Sequence, residues 1–268
     1  MKQVINPNHL TLRPFIEDIE KHFQASSEVL YNERNKIKVV TYEGQDYVVK
    51  SFKVPNLINR FVYHYFRPSK AKRSYEYSLK IGEQFGPEAI AYIEEYKSFL
   101  LTKSYYISMR YDYDFTIRPV LLDETFDQSV RKQVLTELAD FAYNLHENNI
   151  LHNDFSYGNV LIKALSIKDN KDVADTGAGK KQGSNTSSPT QFEFRIIDVN
   201  RMQFKALSVD ERLNNFARLS ANDDAMEIII RRYATRIEKP FDELLLKAKH
   251  FRDEFKRKRV LKNKLRGR

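Results

Sequence analysis

An α+β fold, with a small sheet lobe followed by a larger helical lobe, is predicted for this 268-residue chain by three observations. Alternating β-branched and aromatic segments dominate the sequence up to Tyr111. A single capped helical segment interrupts them. After Gln128 the apolar residues recur mostly at helical spacing. Strands, one helix, more strands and then mostly helices is the order of an α+β protein.

Each element has a local reason. Lys36–Tyr42 and Tyr47–Lys53 are alternating strands, and Glu43-Gly44-Gln45-Asp46 supplies the turn between them. Pro68-Ser69 opens a helix that runs to about Ile81, where Gly82 stops it. Strands follow over Ala89–Tyr96 and Phe99–Tyr111. Val130, Val134, Leu138, Phe141 and Leu145 form one apolar stripe on a helix from Gln128 to Glu147, ended by Asn148-Asn149. Val160–Leu165 and Phe192–Ile197 are apolar strands. The segment between them, 168–191, is rich in Asp, Lys, Gly, Ser, Thr and Asn, and reads as a disordered hairpin loop. Helices are expected near Val209–Leu219, Asp223–Arg236 and from Phe241 onward. The divisions are a small lobe over 1–109, a large lobe over 110–246 and a basic tail over 247–268.

Composition narrows the function classes. The chain is 41% hydrophobic, with 18 Phe, 16 Tyr and no Trp, which is a globular balance. It holds no Cys, so disulfides, thiolate metal sites and Cys nucleophiles are excluded, and a reducing compartment fits. Met1–Leu10 carries no apolar core of signal-peptide length. No run approaches the roughly 20 apolar residues of a membrane span, so a soluble or peripheral protein is expected. The formal net charge of +9 is unevenly placed. Lys247–Arg268 holds eleven Lys and Arg against Asp253 and Glu254, which leaves the first 246 residues neutral overall.

The chemistry is concentrated in His152-Asn153-Asp154-Phe155-Ser156-Tyr157-Gly158-Asn159, answered by Asp198 in Ile196-Ile197-Asp198-Val199-Asn200. Phosphoryl transfer needs a cradle for a triphosphate, cations to neutralise it and a group that orients the attacking hydroxyl. Magnesium takes hard oxygen ligands. Asn159 and Asp198 flank the proposed hairpin, so both can face one Mg2+, and Asp154 would then face the acceptor hydroxyl as the base.

The segment from Leu138 to Asp154, with the loop to Asn159 and Asp198, resembles the helix and catalytic loop of the protein-kinase-like superfamily. Ser156 stands where protein kinases favour Lys, which brings the loop closer to small-molecule and sugar kinases. Upstream, Tyr47–Lys53 and Arg67-Pro68-Ser69-Lys70-Ala71-Lys72-Arg73-Ser74-Tyr75-Glu76 resemble the lipopolysaccharide core kinases, the Kdo and heptose kinase family. The resemblance spans about residues 30 to 205 and implies a bilobal protein-kinase-like fold. It implies that Lys50 contacts the phosphates of ATP and that Glu76 pairs with Lys50. Val48 would help cover the base, and Met109–Tyr113 would form the hinge. Asp154 would be the catalytic base, with Asn159 and Asp198 the metal ligands. The chain departs from the pattern in three places. Asn32-Glu33-Arg34-Asn35-Lys36 replaces a Gly-rich loop, so phosphate cover would fall to Arg34 or Lys36. Asp198 is followed by Val199-Asn200-Arg201 in place of Phe-Gly. No Ala-Pro-Glu segment follows.

Plainer readings compete. Glu76 has Lys72 and Lys80 at four-residue spacing and could form only a surface ion pair. Lys53 competes with Lys50 but falls on the opposite strand face. His152 reads as a loop-orienting residue and His146 as a helix-end residue. In the tail, Phe251, Phe255, Leu261 and Leu265 are interleaved with Lys256-Arg257-Lys258-Arg259. This suits a basic helix on an anionic membrane, a solvated end or, least favoured, nucleic acid. The expected function is ATP- and Mg2+-dependent phosphorylation of a sugar hydroxyl. The expected acceptor is a lipid-linked sugar of the lipopolysaccharide inner core (Kdo or heptose), at the cytoplasmic face of a bacterial inner membrane. Alternatives are an aminoglycoside- or choline-type kinase, a protein kinase, and a membrane-associated pseudokinase scaffold.

Overall fold

The computed structural model describes residues 1–33, 35–53, 68–122, 126–166 and 190–265. Its small lobe is a six-stranded sheet in the order β1-β5-β6-β4-β3-β2. The strands are β1 (Lys2–Ile5), β2 (Val29–Asn32), β3 (Asn35–Tyr42), β4 (Gln45–Phe52), β5 (Ala89–Lys97) and β6 (Leu100–Met109), and every pairing is antiparallel. Gly44, at φ 79°, makes the β3–β4 turn.

Side chains alternate across this sheet, and both faces are covered. On the outer face Tyr47, Val49, Ile93 and Ile107 pack under Phe15, Ile16, Ile19 and Phe23. Those four residues belong to the short helices α1 (Arg13–Glu17) and α2 (Ile19–Ala25), which sequence periodicity did not anticipate. On the inner face Phe52, Ala89 and Tyr92 pack under Ala71 and Tyr75 of α3 (Lys70–Ile81). Ser69 caps α3 by accepting from the Lys72 N–H at 3.0 Å, and Gly82, at φ 73°, ends it, as predicted.

The large lobe forms around α5 (Gln128–Glu147), whose residues Val134, Leu135, Leu138, Ala142 and Leu145 are buried. Around it lie α4 (Ile117–Leu122), α6 (Val209–Phe216), α7 (Asp223–Arg236) and α8 (Phe241–Lys264). Three small strand pairings complete the lobe. β7 (Phe115–Thr116) and β10 (Thr190–Ile196) flank β9 (Val160–Ser166), and β8 (Ile150–Leu151) pairs with β11 (Gln203–Phe204). The β9–β10 hairpin is the expected one, but β10 begins at Thr190, inside the segment expected to be loop. Residues 168–189 of that loop lie outside the described residues.

Among the contacts that join the lobes are two near Phe85. Ile81 and Phe85 enter the large-lobe core, and the Ile196 N–H donates to the Phe85 carbonyl at 2.7 Å. Gly86 sits at this crossing, where a Cβ would lie 3.0 Å from Ile81 Cδ1 and 3.1 Å from the Ile196 carbonyl. The expected tail boundary at 247 falls inside α8. Leu244, Ala248 and Arg252 of that helix are buried against the lobe.

Candidate active site

The β8–β9 connection is the segment expected to be the catalytic loop, and buried polar groups hold its shape. His152, 1% exposed, uses both ring nitrogens. Its Nδ1 accepts from the Asp154 N–H at 3.1 Å, so Nε2 donates to the Ile197 carbonyl at 2.9 Å. One imidazole thereby ties the loop to the segment that carries Asp198. Burial pushes the His152 pKa down, against the pull of the Ile197 carbonyl and the two carboxylates. The ring therefore stays a neutral brace, as its loop-orienting reading expects.

Behind it, Asn215 of α6 donates to the His152 carbonyl at 2.9 Å. Its Oδ1 accepts from His146 Nε2 at 3.1 Å, and His146 Nδ1 accepts from the Tyr233 hydroxyl at 2.7 Å. Burial pushes the His146 pKa down to about 4. His146 is thus a core residue linking three helices to the loop.

Asn159 donates from Nδ2 to the Asp154 carbonyl at 2.9 Å. That fixes the side-chain amide with Oδ1 as its remaining acceptor. The Asn159 carbonyl also accepts from the Ile197 N–H at 3.0 Å, which sets Asn159 beside Asp198. Asp198 itself is left-handed, at φ 60° and ψ 44°. A non-glycine residue there is strained by an amount its surroundings must hold, a recurrent feature of functional sites.

Lys50 Nζ donates to Asp198 Oδ1 at 2.6 Å, across 148 positions of sequence and between the two lobes. Asn200 donates to the same oxygen at 2.6 Å. Burial pushes the Asp198 carboxyl up, but the Lys50 ammonium and, beyond it, Arg201 outweigh burial and hold it below the usual carboxylate range. Lys70, at the start of α3, is half-buried close by. Its pKa is lowered by burial and then by Arg201, Lys50 and Arg73, against Asp198. Lys50, Lys70 and Arg201 thus gather around one carboxylate, an excess of positive charge suited to a polyphosphate. Among the described residues no three His, Cys, Asp or Glu gather at one point. Asn159 and Asp198 offer two hard oxygens, a donor set that fits Mg2+ sharing its shell with phosphates.

Two expected site residues make other contacts in this structure. Ala71, Arg73, Ser74, Tyr75, Ser78 and Ile81 are the buried residues of α3, and Glu76 is not among them. Its side chain is 46% exposed and pairs with Lys72 at 3.5 Å, the plainer of its two readings, while Asp198 takes Lys50. Met109 is displaced by strand parity. It lies opposite Tyr47 and packs with the outer cluster. Val48 shares the inner face with Lys50, and the residue opposite Val48 is Ser108. The cleft-facing neighbour of Val48 is therefore Ser108. The Met109 N–H is already given to the Glu88 carbonyl at 2.9 Å. Of the expected phosphate cover, Lys36 is exposed on β3 and Arg34 lies outside the described residues.

Arg218, from the turn after α6, is a site residue that sequence reasoning missed. Its Nη1 lies 3.3 Å from Asp154 Oδ1, and its guanidinium stacks 5.2 Å from the Phe255 ring centroid of α8. Arg118 stacks on Tyr157 of the loop at 5.1 Å. Neither arginine has a motif around it; only the fold brings them to the loop.

No family model and no curated protein sequence matches the chain. Solved structures do. WaaP, solved in complex with acyl carrier protein, matches with a TM-score of 0.56 at 15% identity, over 96% of this chain and 98% of that one. The yeast RNA polymerase II CTD kinase complex matches with a TM-score of 0.40 at 14% identity, over 75% and 59%. The PknI kinase domain of Mycobacterium tuberculosis matches with 0.43 at 10%, over 76% and 73%. The WaaP match runs through both lobes, and the fold is kinase-like.

Proposed function

We propose that this chain is an ATP- and Mg2+-dependent phosphotransferase acting on a sugar hydroxyl of the lipopolysaccharide inner core. The observation that carries the reaction class is the Lys50–Asp198 pair at 2.6 Å, joining a small-lobe strand to the loop that holds Asp154 and Asn159. On this reading Lys50, with Lys70 and Arg201 nearby, binds the triphosphate, and Val48 and Ser108 line the wall of the base site. Asn159 Oδ1 and the Asp198 carboxylate would hold Mg2+, which neutralises phosphate charge when bound. The acceptor oxygen attacks the γ-phosphorus of ATP, its proton passes to Asp154, and the bond from that phosphorus to the β–γ bridging oxygen breaks with its electron pair staying on ADP. Arg218 steadies the Asp154 carboxylate during this transfer.

The acceptor assignment rests on two supports. One is the resemblance of residues 30 to 205 to the Kdo and heptose kinases. The other is the likeness of fold to WaaP over nearly the whole chain. The site of action on this reading is the cytoplasmic face of the inner membrane. Among the described residues no helix is long and apolar enough to cross a membrane. The test is mass spectrometry of lipopolysaccharide from a strain lacking the protein, complemented with wild type or with Asp154→Asn. The expected result is loss of one core phosphate, restored by wild type alone. An unaltered core refutes the acceptor; restoration by Asp154→Asn refutes the base.

A further inference from the structure

The helix α8 has two unlike halves. Its first half lies on the large lobe through Leu244, Leu245, Ala248, Phe251 and Arg252. Every residue of its second half and C-cap, Lys256 to Leu265, is exposed. Six of those ten residues are Lys or Arg and none is acidic. A helical segment of about 15 Å standing in solvent receives little help from packing. Like charges three and four residues apart oppose it further, as at Lys256–Arg259 and Lys258–Lys262. The helix dipole favours cations only in the last turn, which accounts for Lys262 and Lys264 but not for four in a row at 256–259.

The apolar residues narrow the counter-charge. Leu261 and Leu265 are 60% and 80% exposed and lie one turn apart on one side. By helical geometry Lys258 and Lys262 flank that pair on one side, and Arg257 and Lys264 on the other. Leucines between long cationic stems suit an interface that is apolar beneath and anionic above. A polynucleotide would engage the cations and leave the leucines in water. A second copy of the chain would set cation against cation.

We infer that the second half of α8 docks on an anionic lipid surface, and that this surface meets the protein on the Asp154 side of the catalytic loop. The root of the docking segment fixes the side. Phe255 stacks against Arg218, and Arg218 reaches Asp154 at 3.3 Å. That Asp154 faces the acceptor rests on the proposed function; the docking itself does not.

The chain has no Trp, so Leu265→Trp supplies a single reporter. The probe is a vesicle of phosphatidylglycerol and phosphatidylcholine with brominated acyl chains, without nucleotide or acceptor. Leu265→Trp fluorescence should shift to the blue and be quenched, and pure phosphatidylcholine should do neither. Phe99→Trp is the comparison. Phe99 is 76% exposed on the β5–β6 hairpin and is the rival apolar contact. Changing Lys256, Arg257, Lys258 and Arg259 to Gln should lower partitioning about six hundredfold, at about fivefold per cation. Leu261→Asn should lower it about tenfold while leaving polynucleotide binding unchanged. Hydrogen exchange should show protection over 256–265 and over 152–159 when vesicles are added. Circular dichroism confirms that each variant is folded. Quenching of Phe99→Trp but not Leu265→Trp overturns the inference, as does quenching without anionic lipid, or tighter binding to polynucleotide than to vesicles. Protection over 256–265 without protection over 152–159 overturns the stated side. Asp154→Asn should bind vesicles like wild type, which separates failure of docking from failure of the proposed reaction.

Discussion

Asn215 is where the large-lobe core meets the catalytic loop, and replacing it by Ala measures that junction. The residue is 5% exposed. Its amide gives a hydrogen bond to the His152 carbonyl at 2.9 Å and accepts one from His146 at 3.1 Å. Alanine strands one buried donor and one buried acceptor in a region walled by Phe155, Phe216 and Tyr233, all fully buried. At about 1–3 kcal/mol for each stranded group, the expected loss of stability is roughly 2–5 kcal/mol. Urea unfolding followed by far-UV circular dichroism reads it as a lower midpoint. Asn215→Asp should not restore stability, because it keeps the acceptor for His146 but sets a carboxylate oxygen against the His152 carbonyl. A loss below about 1 kcal/mol for Asn215→Ala would refute the reasoning, since surface positions lie in that range. Phosphotransfer should fall as well, because the His152 carbonyl is part of the loop that presents Asp154.

Other expectations follow from the same geometry. His146 is held near 4 in the fold against 6.5 in the unfolded chain, so the unfolded state binds more protons between those values. Stability is therefore full above about pH 6.5 and falls as pH drops toward 4, by about 3 kcal/mol. His146→Gln should flatten the slope in that window, and what remains should report His152, lowered in the same sense, and toward the acid end Glu211, lowered from 4.5 to about 2. An equally steep slope in the variant would show that His146 is not responsible. Gly86→Ala should cost about 1–3 kcal/mol, because the new methyl presses on the Ile196 backbone carbonyl at the lobe crossing. A stabilised Gly86→Ala, read by thermal melting, would contradict that packing.

Much of the scaffold was legible because it rests on local rules. Ser69 and Gly82 cap α3 where cap chemistry places them. The Val134–Leu145 stripe builds α5, and Asn159 and Asp198 do flank one hairpin. The helices α1 and α2 were not legible, since five and seven residues are too short to display a helical period. Glu76 and Met109 make contacts other than the expected ones, and phase along the element decides which way each side chain faces. One residue along a helix turns a side chain by about 100°, and one residue along a strand moves it to the other face. Motif likeness fixes a position to within a residue or so; the packing stripe decides which neighbour faces in. Asn215, Arg218 and Lys70 could not be read at all. Their roles arise from residues about 60 to 130 positions away, and no periodicity records such proximity.

The central claim is that Lys50 and Asp198 meet to serve a nucleotide and its metal. Calorimetric titration with ATP, with and without Mg2+, tests this on wild type, Asp198→Asn and Lys50→Met. Wild type should bind ATP more tightly when Mg2+ is present. Asp198→Asn should lose that enhancement, and Lys50→Met should bind weakly in both conditions. Equal enhancement by Mg2+ in wild type and Asp198→Asn, or no ATP binding by wild type, would contradict the account.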